Sequence, residues 1–485
     1  MSSSITVIST ISSGCANTHS CPFYQQGSNL ILNILIVGPD KLGTEYGGGQ
    51  VYIRNLILGL MKRRYDICYL YVVFADVLLP RIDSACHSEI KELRLTMPKA
   101  WRAIDDTASQ SRIVREITSI VSNIKPDIIH AHAWKGITAI AARKAAIPCV
   151  ITAHHGGIVC PAGALLNADD AICQVAANDS NCLKCCTKSI PGWRFWYPLL
   201  KAMPLKLRLW AGGRLRRLPF IFFLTPLGTI STNIRDKMKE VHNIGQNADR
   251  IIAPSLAIAE ALVRNGIPEE KIRVIPHGIH LPQIRPMRSD LVVGPVRFLF
   301  VGRINRVKGL HVMLEAFADL PSEKYELHIV GCAVTKREKY YIKRLKKDFS
   351  AVKAVWHGGV PHQEIYDLIA SCDVLVHPAI FLEVFGLTIA ESLAVGRPVI
   401  ASSCGGADFQ IRDGENGLLV PPNEVVSLRK AIQSMIYDPA RIKVMGEHCG
   451  DVVSIERHVS ELQKVYNELM GDMANISLID LKEVS

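Results

Sequence analysis

No stretch of this sequence reaches 18 apolar residues without a charge, so it offers no segment to span a bilayer. The nearest candidate, LPFIFFLTPLG at Leu218 to Gly228, is short and holds two prolines, and is read as a buried strand. The first thirty residues lack a basic start and a long apolar core, so no secretory leader is expected and residues 1–32 are read as a tail. The 14 cysteines are not crowded into a disulfide scaffold but spread from Cys15 to Cys449, which points to free thiols in a reducing cytosol. There is no GxxxxGK[ST], which excludes a Walker-type NTPase. No Asp-x-Asp pair sits in the strand-end loops, so nothing demands a catalytic metal. No recognisable nucleic-acid module accompanies the basic residues, and a nucleic-acid partner is not expected.

What is present is an ordinary globular balance. The 485 residues are 48% hydrophobic and 21% charged, enough for a large core and for two or three domains. A net charge of +11 favours acidic partners: phosphorylated small molecules, nucleic acid or an anionic membrane face. Short apolar runs alternate with helical ones. NILIVG (33–38), DICYLYVVFA (66–75), KPDIIHAH (125–132) and IPCVITAHH (147–155) read as buried parallel strands, with helices from Val51 to about Arg63 and over 136–146. A segment rich in cysteine, aromatics and arginine interrupts this rhythm over 156–245, and DRIIAPS and KIRVIPHG resume it. A proline-rich linker is read over 281–295. A second series then runs through VRFLFVGR, YELHIVG, AVWHGG, DVLVHPA, RPVIAS and GENGLLVPP, with helices between them. The expected fold class is α/β, two Rossmann-like domains (33–280 and 296–450) with parallel sheets facing across a cleft, followed by a C-terminal helix and tail over 451–485. Ligands of such sheets bind at the carboxyl ends of the strands.

Three stretches carry chemistry. In FVGRINRVKGL a strand ends at Gly302, and Arg303 and Lys308-Gly309 follow at a helix start; two cations beside free helix N–H groups suit a diphosphate, the alternative being surface charge around a loop. In CGGADFQIRDGENGLL, Gly405-Gly406 follows a strand and either lets backbone approach a ligand or makes a turn. In FLEVFGLTIAESLAVGRP, Glu383 and Glu391 flank an apolar run. A buried carboxylate is costly without a partner, so Arg303, Lys308 or a ligand hydroxyl should meet Glu391, unless it is simply a surface residue of an amphipathic helix.

Together these stretches resemble the retaining glycosyltransferases of the GT-B fold, sequence family 4. The hallmark matched is a Glu, seven residues and a second Glu around a Phe-Gly, here Glu383 to Glu391, followed by Gly396-Arg397-Pro398; the resemblance covers about residues 33 to 440. It implies that Arg303 and Lys308 bind the diphosphate of a nucleotide-sugar donor and that Glu383, with the backbone of Phe385, Gly386 and Leu387, holds the sugar hydroxyls. It further implies that Glu391 holds the ribose, that Gly302, Gly359 and Val360 lie along the nucleotide, and that Gly48 and Gly49 form the loop over the phosphates and acceptor. His154 matches the active-site histidine, whereas His130, His132 and His155 are read as packing or strand-end residues. The family transfers sugar with retention, and a glycan or lipid-linked acceptor in polysaccharide or glycoconjugate synthesis is expected, without a required cofactor. Two alternatives remain: a nucleotide-sugar 2-epimerase of the same fold, against which the paired glutamates argue, and a silent nucleotide-sugar-binding subunit, against which the intact site residues argue.

Two features fall outside that set. Cys160, Cys173, Cys182 and Cys185, with Cys186 adjacent, have spacings that suit either a structural zinc or free thiols, and a similar insert occurs in a subset of the family. The segment 191–219 mixes tryptophan, leucine and basic residues. It reads either as an interfacial surface on anionic lipid or as an amphipathic helix packed on the N-terminal domain. The expected location is cytoplasmic, with peripheral attachment at the inner membrane face if the first of those readings holds.

Overall fold

The structure, a computed structural model, describes residues 32–43, 47–87, 90–99, 107–188, 190, 192–215, 225–282 and 294–483. The tail over 1–32 and the linker over 281–295 therefore lie almost wholly outside the described residues.

Eight strands build the first sheet: β1 (Asn33–Gly38), β2 (Asp66–Ala75), β3 (Arg81–His87), β4 (Ile90–Pro98), β5 (Ile128–Ala131), β6 (Cys149–Thr152), β7 (Arg250–Ala253) and β8 (Ile272–Val274). Their order is β3-β4-β2-β1-β5-β6-β7-β8. All pairings are parallel except that of β3 with β4 at one edge. The central strands are apolar without alternation because helices cover both faces, and Ile34, Leu35, Ile36 and Val37 are fully buried in succession. Six strands build the second sheet: β9 (Val296–Val301), β10 (Tyr325–Val330), β11 (Ala354–Gly358), β12 (Val374–His377), β13 (Val399–Ser402) and β14 (Gly417–Val420). They are all parallel, in the order β11-β10-β9-β12-β13-β14. The two-domain α/β fold expected from the sequence is the fold observed.

Between β6 and β7 the chain forms helices Asp179–Lys188, Trp193–Ala202, Leu205–Leu215 and Thr225–Asn247. The run Leu218 to Gly228 is not the strand expected from its apolar content where it is described: Thr225 to Gly228 open a helix, and the residues before them lie outside the described ones. The insert also reaches the second domain. Leu166 packs against the second core, and Arg306 donates to Asp170 at 3.0 Å.

The last helix, Ile455–Glu483, returns to the first domain. Ile455, Val459, Leu462, Val465, Tyr466 and Leu469 share one core with Ile34, Ile36, Tyr52 and Leu56. Polar contacts fix the same seam: Tyr52 with His458 at 2.7 Å, and His130 with Tyr466 at 2.7 Å. Where the chain re-enters, Ile455 donates to the carbonyl of Ile279 and Ile279 to that of Val453, so two crossings run side by side.

Inside the second domain, Arg397 is buried. Its guanidinium donates to the carbonyls of Ala370, Cys372 and Val395 at 2.8, 3.0 and 3.1 Å. These carbonyls end the helices His362–Ser371 and Leu387–Ala394. The cation thus answers two helix C-termini, whose carbonyls lack intrahelical partners and carry partial negative charge.

Candidate functional site

A cavity of about 740 Å³ opens between the domains where the carboxyl ends of the strands face each other. Its lining includes Gly48, Gly49 and His154 from the first domain. The second supplies Gly302, Arg303, Lys308, Gly359, Val360, Glu383, Phe385, Gly386, Leu387 and Glu391. Every residue singled out from the sequence for catalysis or donor binding lies on this one surface.

The second-domain wall is built by β9 and β12. β9 ends at Val301, and the loop after it carries Arg303 and Lys308. Gly309 then turns with φ +73°, and a Cβ there would stand 1.7 Å from the carbonyl oxygen of Pro378, so only glycine lets the loop close on the segment after β12. This contact brings Lys308 Nζ to 2.5 Å from Glu383 Oε2. His377, the last residue of β12, places Nε2 3.2 Å from the same oxygen. Burial opposes the charge on Glu383, but Lys308 and then His377 outweigh it and hold the carboxyl well below the usual carboxylate range. Glu383 is therefore an anion near neutral pH, an acceptor of hydroxyl hydrogens rather than a proton donor. Arg303 does not stand alone: its Nε donates to Glu338 Oε1 at 2.7 Å, while the other oxygen of Glu338 caps the helix Lys336–Asp348.

Glu391 lies buried on the helix Leu387–Ala394. The polar partner it needs is neither Arg303 nor Lys308 but His362, whose Nε2 is 2.8 Å from Glu391 Oε1. The start of that helix, after Gly386, leaves first-turn N–H groups at the cavity. Gly405 and Gly406 do not line the cavity, so the ligand-approach reading of that pair gives way to the turn. The amide of Gly406 donates to the Glu383 carbonyl at 2.8 Å, that of Glu383 to Cys404 at 2.7 Å, and a Cβ on Gly406 would meet the Phe385 backbone at 2.4 Å. The glycine pair holds the Glu383 loop from behind.

Across the cleft, Gly48 opens the helix Gly48–Lys62, and a Cβ on it would meet Leu387 at 3.2 Å. His154 Nε2 lies 2.6 Å from His132 Nδ1, while its own Nδ1 is buried without a partner. His277 packs on Tyr52 with the rings tilted by 35° and their centroids 4.0 Å apart, and it also has an unpartnered Nδ1. Burial, reinforced by His277 for His154 and by His458 for His277, holds both imidazoles well below the ordinary histidine value, hence neutral. Of the histidines read as packing residues, His130 is a buried one, bonded to Thr152 and Tyr466, whereas His132 holds the ring of His154 and His155 reaches the cavity. His277, His377, His362 and Glu338 were not singled out from the sequence. His277 follows β8 and His377 ends β12, both at carboxyl ends of strands, and that position was the available signal.

The cysteine cluster is elsewhere. Cys160 and Cys182 are buried and Cys173 and Cys185 half-buried, all as free thiols. Burial, and after it the nearby Cys160, Cys185 and Cys173, push the Cys182 thiol up to about 11. Among the described residues no group of three or more histidine, cysteine or acidic side chains stands ready to hold a metal, so the zinc reading finds no support. Nor is any helix among them long and apolar enough to cross a membrane.

Comparison with known proteins bears on what such a cleft does. The family model described as Glycosyl transferases group 1 matches residues 287–449, and that described as Glycosyltransferase Family 4 matches residues 46–172 and 204–282. A D-inositol 3-phosphate glycosyltransferase of Streptomyces bingchenggensis is 30% identical over 46% of this chain and 53% of its own. The corresponding protein of Pseudarthrobacter chlorophenolicus is 32% identical over 42% and 51%. An uncharacterized glycosyltransferase of Methanocaldococcus jannaschii is 22% identical over 47% and 60%. The chain thus spans little more than half the length of these curated relatives. Among solved structures, the sucrose-phosphate synthase of Thermosynechococcus elongatus superposes with a TM-score of 0.64 at 20% identity, over 91% of this chain and 100% of that one. HepE of Anabaena, in complex with UDP and glucose, gives 0.61 at 19% identity, over 90% and 99%. At these identities the likeness is one of fold, the GT-B arrangement of two parallel-sheet domains.

Proposed function

From the match of residues 287–449 to the group 1 glycosyl transferase model and of residues 46–172 and 204–282 to the glycosyltransferase family 4 model, we propose that this chain is a glycosyltransferase that transfers a sugar from a nucleotide-diphospho-sugar to a hydroxyl of a glycan or lipid-linked acceptor, with retention at the anomeric carbon. The observation that carries this reading is the pairing within one cavity of a cationic wall, Arg303 and Lys308 beside the helix start at Gly386, with the anionic Glu383 held against Lys308. A donor needs both: cations and N–H groups for its diphosphate, and an acceptor of hydrogen bonds for its sugar hydroxyls. In this reading Glu391, bonded by His362, takes the ribose, and Gly359 and Val360, which line the cavity, lie along the base.

In the reaction the bond between the anomeric carbon and the diphosphate oxygen breaks, and positive charge grows on the sugar while negative charge grows on the leaving group. Lys308, Arg303 and the helix N–H groups stabilise the latter, more strongly in the transition state than in the bound donor. The acceptor oxygen bonds to the anomeric carbon on the face the diphosphate leaves, and its proton passes to the departing phosphate oxygen. Glu383 takes no proton in this scheme, in keeping with the depression of its pKa. The neutral His154, held by His132, offers a ring nitrogen to the sugar. A cytoplasmic chain acting on a lipid-linked acceptor would work at the inner membrane face, in polysaccharide or glycoconjugate synthesis.

The test is a thermal-shift screen against UDP-, GDP- and ADP-sugars, followed by product analysis with the donor that stabilises. UDP-sugars come first, since HepE was solved with UDP. At least one nucleotide sugar should raise the melting temperature, as any ligand of the folded state does, and the product should keep the anomeric configuration of the donor. No stabilisation by any of them would sink the donor reading; an epimerised donor without transfer, or an inverted product, would sink the transfer reading.

A further inference from the structure

The insert carries a surface that the cleft does not use. Between Asp179 and Asp236 the chain has no aspartate or glutamate, yet lysine and arginine recur throughout. Two helices of this stretch, Trp193–Ala202 and Leu205–Leu215, expose the wrong side chains for a face in water. Phe195 is 68% exposed and Trp210 57%, while Arg208, between them in sequence, is only 6% exposed. A surface helix of a soluble domain buries its aromatics and leaves its cations outside.

The inward side is well anchored, so the exposure is not that of a loose segment. Leu200 is fully buried in a core with Leu183, Ile230 and Ile234. Arg208 donates to Asp179 at 2.6 Å and to Ser231 at 2.9 Å. The outward side joins the apolar residues to exposed cations. The Arg214 guanidinium lies 4.6 Å from the centre of the Trp210 ring, and that of Arg194 5.8 Å from the Trp193 ring. Lys201 and Lys206, on the same two helices, are exposed as well. Rings and aliphatic side chains flanked by cations, with no carboxylate in the segment, match the boundary between phosphate headgroups and acyl chains.

We propose that this two-helix face docks on an anionic lipid bilayer, Phe195, Trp210 and the neighbouring leucines entering the headgroup boundary and Arg194, Lys201, Lys206 and Arg214 meeting headgroup phosphates. The inference does not depend on the sugar-transfer reading, because it uses none of the residues of the cleft.

The experiment is co-sedimentation of the full chain with vesicles of phosphatidylcholine alone and with vesicles in which phosphatidylglycerol replaces part of it. The chain should pellet with the anionic vesicles only, and added salt should release it. Arg194→Ser, Lys201→Ser and Lys206→Ser should each weaken binding about fivefold. Phe195→Ser with Trp210→Ser should abolish it while the melting temperature stays that of the parent. If that double variant misfolds, the three charge variants carry the test. Three results would overturn the proposal: a chain that stays in the supernatant with anionic vesicles at low salt, well-folded variants that bind as the parent does, and a parent that is a dimer in solution and that the double variant splits into monomers, which would make the face a contact between copies.

Discussion

Replacing Lys308 with methionine should do two separable things. Lys308 Nζ is 2.5 Å from Glu383 Oε2, and the two side chains are 23% and 11% exposed. Breaking a buried pair by removing one partner costs about 3–5 kcal/mol, because the other charge stays behind. His377 remains 3.2 Å from the same oxygen, so the lower end, about 3 kcal/mol, is expected. Converting Glu383 to glutamine in the same chain removes the orphaned charge and should bring stability back to within about 1 kcal/mol of the parent. The sign with pH follows from the depressed carboxyl of Glu383. In the parent, its contribution is present above the ordinary carboxyl value of 4.5 and is lost as pH falls through the lower folded value. In Lys308→Met the carboxyl protonates at higher pH, so the stability gap between variant and parent narrows on acidification. Urea denaturation at neutral and mildly acidic pH reads both effects. Binding of the nucleoside diphosphate should behave differently: lost contacts to a charged phosphate are worth about 1.5–3 kcal/mol, roughly 10–100-fold in affinity, and the second substitution should not restore them. A Lys308→Met variant as stable as the parent at neutral pH, or a double variant that recovers stability and affinity together, would refute the assignment of these two roles to Lys308.

Two further outcomes are expected. Arg397→Met leaves three buried carbonyls at helix ends without their donor and should cost about 3 kcal/mol or more; calorimetric melting checks it, and an unchanged melting temperature would remove Arg397 from the account of the fold. His132→Phe should lower kcat about tenfold with little change in KM, since it deletes one hydrogen bond that orients His154; steady-state kinetics with the nucleotide sugar found by the screen decides it, and a change confined to KM would mean that His132 serves binding only.

The fold was legible where the chain is buried on both faces. β1, β5, β9 and β12 read as mainly apolar runs because helices cover both faces of their sheets, with His130 in β5 and His377 in β12 as buried exceptions, and their ends pointed to the cleft. The edge pair β3 and β4 was missed because RIDSACH mixes charge and small residues at an exposed margin, where pairing is set by the neighbouring strand. The thirteen cleft positions came from motifs whose glycines and charges lie close together in sequence. Their partners did not. His362 meets Glu391 across 29 residues, and Glu338 meets Arg303 across 35, so neither pairing leaves a local pattern. The glycine pair at 405 and 406 was visible as a backbone requirement, but only its contacts told whether ligand or loop imposed it.

The return of the last helix has a consequence for synthesis on the ribosome. The half made first cannot finish its own core until Ile455 to Leu469 emerge, after the whole of the second sheet has been made. Throughout that interval Ile34, Ile36, Tyr52 and Leu56 lack their final cover, an open apolar seam of the kind that recruits chaperones and invites aggregation. Order of appearance and order of completion are reversed in this chain: the second domain can close before the first.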